Sequence, residues 1–167
     1  MKNKILKVLI LLALAFAVLV IVQSGTSVQA QSPALDISIS FSPSAILPGG
    51  VSELTIVLTN NTGHDLGIVT LAPRGFPLPL KLQVAAPAAS VACNGDVGLP
   101  EVYAPEGALE IDFSVGGMKV LSSCTFKISV TGSAPGDYTA TIPADAIEVL
   151  SQPYIGSTAA SASLTVL

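Results

Sequence analysis

The chain has one histidine, His64, beside Asp65 in "NNTGHD". An imidazole next to a carboxylate could serve a nucleophile as general base. No seryl or cysteinyl nucleophile motif accompanies the pair, so His64 reads as a solvated turn residue. The two cysteines, Cys93 and Cys124, are the other reactive groups. In an exported chain an even cysteine count predicts a disulfide, and two cysteines allow a single intrachain pairing. Two buried thiols is the other reading. No catalytic residue is expected, and the chain reads as no enzyme.

Metal and ligand chemistry is similarly thin. None of the eleven acids falls in the alternating Asp/Asn pattern of a calcium loop. The densest acidic stretch, "CNGDVGLPEVYAPEG", carries Asp96, Glu101 and Glu106. It leaves two readings open, a solvated loop or a weak calcium site. Zinc lacks ligands, and no cofactor is expected. Gly49-Gly50 and Gly116-Gly117 lead into strands and not helices, so they do not read as phosphate cradles. There is no Trp. Tyr103 and Tyr154 fall in predicted loops where they could meet a ligand, and Tyr138 faces the core or an edge. Asn60-Asn61-Thr62 is an N-x-Thr acceptor triplet, relevant where the exporting cell glycosylates.

The elements that would carry these residues are strands. Apolar residues alternate in "LDISISF" (Leu35, Ile37, Ile39, Phe41), "ELTIVLTN" (Leu54, Ile56, Leu58) and "PLKLQVA" (Leu78, Leu80, Leu82, Val84). The same period continues in "ALEIDFSV" (Leu109, Ile111, Phe113, Val115), "CTFKISVTG" (Cys124, Phe126, Ile128, Val130), "DYTATI" and "ASLTVL". Period two of this kind predicts half-buried, mainly antiparallel strands. Pro48-Gly49-Gly50, Asn94-Gly95 and Pro135-Gly136 punctuate the runs as turns. "PRGFPLP" and "AAPAA" read as loops or edge segments, because proline cannot donate to a ladder. "PADAIEVL" reads as a connection or short strand, with one turn of helix as the alternative. The expected fold is all-β, an immunoglobulin-like or Greek-key antiparallel sandwich of about seven to nine strands.

An N-terminal helix precedes it. Lys2, Lys4 and Lys7 lead into the unbroken apolar run Val8–Val22, and "VQA" ends at Ala30. This is the layout of a secretory signal peptide cleaved between Ala30 and Gln31. The run is shorter than the ~20 residues of a spanning helix. Residues 1–30 are therefore expected to be a signal peptide and residues 31–167 a single domain. Membrane contact would come only through an uncleaved leader. Without the three leader lysines, four basic residues face eleven acids. That balance excludes the basic face a nucleic-acid binder needs.

A further pattern runs along the domain. Phe41-x-Pro43, Gly49-Gly50 and Ser52-x-Leu54-Thr55-Ile56-x-Leu58-Thr59-Asn60-Asn61 are followed by Cys93-Asn94-Gly95 and Ser122-Ser123-Cys124. Gly136-x-Tyr138-Thr139 and Ala162-x-Leu164-x-Val166 complete it. It resembles the conserved-repeat, immunoglobulin-like domain of prokaryotic surface proteins, the group around domain of unknown function eleven. Those domains occur in tandem arrays, whereas here one copy follows the leader. The resemblance implies a β-sandwich serving as a structural or adhesive module without catalytic residues, with Cys93 and Cys124 at positions where a pair is often found. The expected role is a secreted or cell-surface interaction domain whose partners are other extracellular proteins or its own copies. Two alternatives stand beside it. One is a filament subunit whose segment Gln31–Phe41 completes a neighbour's sheet. The other is a small ligand- or carbohydrate-binding module.

Overall fold

A computed structural model describes residues 35–71, 75–144, 146–150 and 156–167. The leader and the Ala30/Gln31 cleavage point lie outside the described residues, as does Tyr154. Every regular element described is a strand. In chain order they are β1 (Asp36–Ser42), β2 (Ala45–Ile46), β3 (Val51–Thr59), β4 (Val69–Leu71), β5 (Phe76–Pro77) and β6 (Leu82–Asn94). There follow β7 (Pro100–Tyr103), β8 (Glu110–Val115), β9 (Ser123–Gly132), β10 (Gly136–Ile142), β11 (Ile147–Val149) and β12 (Ala160–Val166).

One sheet has the order β1-β3-β9-β6, antiparallel throughout. Reading β1, β3, β6 and β9 as A, B, D and E gives the A-B-E-D order of an immunoglobulin-like sandwich. The alternation in the sequence has its cause here. Leu54, Ile56 and Leu58 of β3 pair with Ile128, Phe126 and Cys124 of β9, and all six are fully buried. Behind this sheet lie β10-β12, with β2 parallel to β12, and β11-β4-β8, with β5 and β7 also on β8. Phe113 of β8 stacks on Phe126 of β9 with ring centroids 4.5 Å apart, joining the two layers at the centre of the core. At the β9–β10 corner the Tyr138 hydroxyl donates to Ala134 O at 2.8 Å. A corner tyrosine bonded back to upstream backbone is a recurrent feature of this fold.

Several expectations are corrected. "PLKLQVA" is not one strand: Leu78 is buried, but Leu80 sits on a turn closed by Leu82 N donating to Pro79 O at 3.0 Å. Leu109 lies outside β8 and is exposed. "PEVY", expected as loop, is strand β7, which places Tyr103 on a sheet. The edge-segment reading of "AAPAA" holds: it lies inside β6, at the edge of its sheet, where the register with β9 shifts between Val84 and Ala89. A bulge with a proline is how an edge strand accommodates a missing donor. "PADAIEVL" keeps its expected reading, since it contains the short strand β11. The segment considered for donation to a neighbour, from Asp36 on, is hydrogen-bonded to β3 of its own sheet, with Ile37 and Phe41 buried in its own core.

Four tight turns set the ends of the sandwich. In Leu47–Gly50, Pro79–Leu82, Pro105–Ala108 and Lys119–Ser122 the fourth N–H donates to the first C=O. The third residue of each has positive φ while the second does not, the pattern of a type II turn. Gly49 and Gly107 supply it in two of them. Lys81 (φ 75°) and Leu121 (φ 62°) do so in the others, at the steric cost a side chain incurs there.

Candidate functional site

The His64–Asp65 pair does not form a dyad. Asp65 Oδ2 accepts from Lys119 Nζ at 2.8 Å and Oδ1 from Val120 N at 3.2 Å. The hydrogen bond from Lys119 is the main reason the Asp65 carboxyl is held below its ordinary pKa, with the Val120 amide second. Lys119 is raised in turn, chiefly by Asp65. His64 contributes its backbone carbonyl to a different network. Both sides of the ion pair are solvated, so it ties two turns together in high dielectric without creating an activated group.

That network centres on Asn60, which sequence reading missed as a structural residue. The side chain is fully buried. Its Nδ2 donates to His64 O at 2.8 Å and to Met118 O at 2.9 Å. Its Oδ1 accepts from Thr62 N at 3.1 Å and Thr62 Oγ1 at 2.7 Å. Both amide hydrogens are thus committed, and a folded domain presents no free amide to a glycosylating enzyme. The signal was present in "NNT": a carboxamide bonding the backbone two residues on is the Asx-turn. The same triplet also spells an acceptor site, and only the burial separates the two.

The acidic stretch does not converge. Asp96 lies beside Lys119, in a hollow that also holds Asp65. Glu101 is on β7 and Glu106 on the Pro105–Ala108 turn. Among the described residues no group of three or more His, Cys, Asp or Glu is placed to hold a metal ion. Within this hollow the ammonium of Lys119 bonds Asp65 and feels the charge of Asp96.

Cys93 and Cys124 are bonded, with α-carbons 4.1 Å apart. They are directly opposed on neighbouring strands β6 and β9. The bridge therefore staples an edge strand to the middle of its own sheet and does not cross the sandwich.

The face with the most free chemistry is the outer side of β7 and β8. Pairing sets Tyr103 opposite Asp112 and Glu101 opposite Ser114. These four, with Val102 and Phe113 between them, line a shallow open cleft of about 360 Å³. Tyr103 is 72% exposed. Glu110 extends the acidic side along β8. The strand period aims Glu101 and Tyr103 outward while Phe113 holds β8 in the core.

A family profile described as "Domain of unknown function (DUF7933)" matches residues 36–166. No curated protein matches the chain. Among solved structures it is similar to a non-cellulosomal cohesin from the archaeon Archaeoglobus fulgidus, at 11% identity and a TM-score of 0.48, covering 80% of this chain and 90% of that one. It is also similar to the collagen-binding domain of a Staphylococcus aureus adhesin, at 5% identity and 0.49, covering 81% and 99%. A third is AvmM, which catalyses macrocyclisation in alchivemycin A biosynthesis, at 12% identity and 0.44, covering 80% and 89%. None of these identities carries a residue's role across.

Proposed function

As the chain belongs to the DUF7933 family, whose description names no activity, we propose that it is a non-catalytic interaction domain of the adhesion type, exported and working outside the cell or on its surface. One observation carries the reading. The outer face of β7–β8 sets an exposed tyrosine among Glu101, Glu110 and Asp112, carboxylates that have no hydrogen-bond or ion-pair partner among the described residues. An aromatic ring flanked by carboxylates suits lysine and arginine side chains, through cation–π contact and charge-assisted hydrogen bonds. A basic segment of another extracellular protein is the partner this face fits. The charged, then apolar, then small-residue order of residues 1–30 supports export with cleavage after Ala30. The resemblance to conserved-repeat domains of prokaryotic surface proteins supports the cell surface as the place of work.

The test uses protein recovered from the medium of producing cells. Its intact mass should correspond to a chain beginning at Gln31. Fluorescently labelled protein should bind the surface of producing cells, and Tyr103→Ala and Asp112→Asn should each weaken that binding about tenfold, as for residues at the centre of an interface. Binding that both variants retain in full would remove this face from the function. A recovered mass that includes residues 1–30 would make the protein an anchored one.

A further inference from the structure

Asn60, Asn61 and Asn94 lie among the described residues, and the fold treats the nitrogen that follows each of them differently. An asparagine followed by a free main-chain N–H carries its own modification chemistry, because that nitrogen can close on the side-chain carboxamide. At Asn60 the following nitrogen is committed, since Asn61 N donates to Thr59 O at 3.1 Å. The Asn60 carboxamide is itself buried and bonded at both ends. At Asn61 the following nitrogen is committed too: Thr62 N donates to Asn60 Oδ1 at 3.1 Å. Asn61 Nδ2 in turn donates to Asp36 Oδ2 at 2.8 Å. Thr62 is also buried, and its branched side chain crowds the nitrogen.

Asn94 differs on each count. It is the last residue of β6, paired with Ser123 of β9, and both it and Gly95 are exposed to water. Among the described residues neither the Asn94 carboxamide nor the Gly95 N–H has a hydrogen-bond partner. The ladder explains the free N–H. The residue across from Gly95 is Ser122, whose carbonyl accepts from Asn60 N at 3.0 Å, on the β3 side. Main-chain groups alternate in direction along an antiparallel strand, so the acceptor that could hold Gly95 N–H is turned away from it. The turn also demands glycine. Gly95 has a φ of 88°, and a Cβ there would stand 2.9 Å from Ser122 Cβ and 3.1 Å from Ser122 Cα. The position thus requires the one residue that puts no side chain beside the attacking nitrogen.

The reaction open to this pair needs only water. Gly95 N gives up its proton to hydroxide and attacks Asn94 Cγ. The N–Cγ bond forms as the Cγ–Nδ2 bond breaks, and Nδ2 takes up a proton from water and leaves as ammonia. Water then opens the cyclic imide at either carbonyl. Opening at Cγ gives aspartate. Opening at the main-chain carbonyl carbon gives isoaspartate, in which the chain runs through Cγ and is one carbon longer. Overall a water is consumed, an ammonia is released and nothing is oxidised or reduced. Either product adds a carboxylate next to Cys93 of the disulfide and close in sequence to Asp96, a covalent change of charge at the surface. Isoaspartate also lengthens the path from the disulfide to β7, the strand that carries Glu101 and Tyr103.

We propose that Asn94 is a self-modification site, at which the folded chain converts to aspartate and isoaspartate while Asn60 and Asn61 are protected. The full chain as exported is incubated at neutral and at mildly alkaline pH and followed by ion exchange. A species richer by a single negative charge should grow with first-order kinetics, and faster at the higher pH, because the attacking nitrogen must lose its proton. Peptide mapping by mass spectrometry, with fragmentation that tells the two isomers apart, should place the change at Asn94 and find isoaspartate there. Asn94→Gln, whose longer side chain closes the ring far less readily, should lose the species while keeping the melting temperature, since the position is exposed. Mapping of the unsubstituted chain stands whether or not that variant folds. Conversion at Asn60 or Asn61 in place of Asn94 overturns the proposal. So does a charge change that persists in Asn94→Gln. A folded chain left unchanged after a synthetic peptide of residues 90–99 has converted in the same buffer overturns it as well, because the fold would then be holding the two groups apart.

Discussion

Replacing Cys93 and Cys124 together by alanine tests how the fold is held. The cysteines are 31 residues apart in sequence. The chain-entropy relation gives about 3.7 kcal/mol for a loop of that length, between the ~3 kcal/mol of a 15-residue loop and the ~4.7 kcal/mol of a 100-residue one. Alanine is the right replacement because Cys124 is fully buried and a serine hydroxyl would need a partner there. At ~2.1 cal/mol/K per residue over roughly 130 residues the unfolding entropy is about 0.27 kcal/mol/K. The expected fall in melting temperature is therefore about 14 °C. The variant should still fold, because the staple joins strands that already share a ladder from Ala89 to Asn94. Calorimetry of the oxidised protein, the reduced protein and the double variant measures it. A fall below about 4 °C, roughly 1 kcal/mol, would mean the bridge adds little to a β6–β9 pairing that survives in the unfolded ensemble, and the entropic account would fail. A variant with no cooperative transition would refute the independence of the core.

Other substitutions probe other parts of the same fold. Leu121→Gly should raise stability by up to about 1 kcal/mol in a urea titration, since a left-handed side chain costs ~1–2 kcal/mol and the added chain entropy of glycine offsets part of the gain. Phe113→Ala should cost about 3–5 kcal/mol by removing the ring that stacks on Phe126 between the layers, measured the same way. Asn60→Ala should destabilise by about 2–4 kcal/mol, because it leaves the carbonyls of His64 and Met118 and the groups of Thr62 without their partner. Protein secreted from a glycosylating host should carry the unmodified mass at Asn60. Asp65 has a depressed pKa in the folded state, so its contribution is present above its unfolded value and lost as pH falls through the folded one. Lys119, raised, contributes below its unfolded value and loses this as pH rises through the folded one. Asp65→Asn should flatten the acid limb of the stability–pH curve, and an unchanged limb would show that the pair does not couple to folding.

Alternation alone determines β1, β3, β9, β10 and β12. In each, the residues at every second position face one packed layer, and the period reports that directly. The turns carrying Gly49, Gly95 and Gly136 are legible for a similarly local reason, since φ is positive at each and glycine meets that need without strain. The candidate face was half legible: Glu101 and Tyr103 stood out as residue types, but "PEVY" is too short to show a period. Its extended form comes from pairing with β8, a partner seven residues beyond its end.

Tertiary structure decides the rest. Leu80 and Leu109 continue an apolar period, yet each falls just outside a strand and is exposed. A pattern records which side of a strand a residue occupies. It does not record whether anything lies on that side. Asn60 shows the converse, a polar triplet that reads as surface in sequence and is buried because the β3 end and the Lys119–Ser122 turn meet over it. The cysteine types predict a bond, but only the β6–β9 register makes it a staple within one sheet. Burial, the meeting of distant turns and strand register are properties of packed layers, and no local window of the chain contains them.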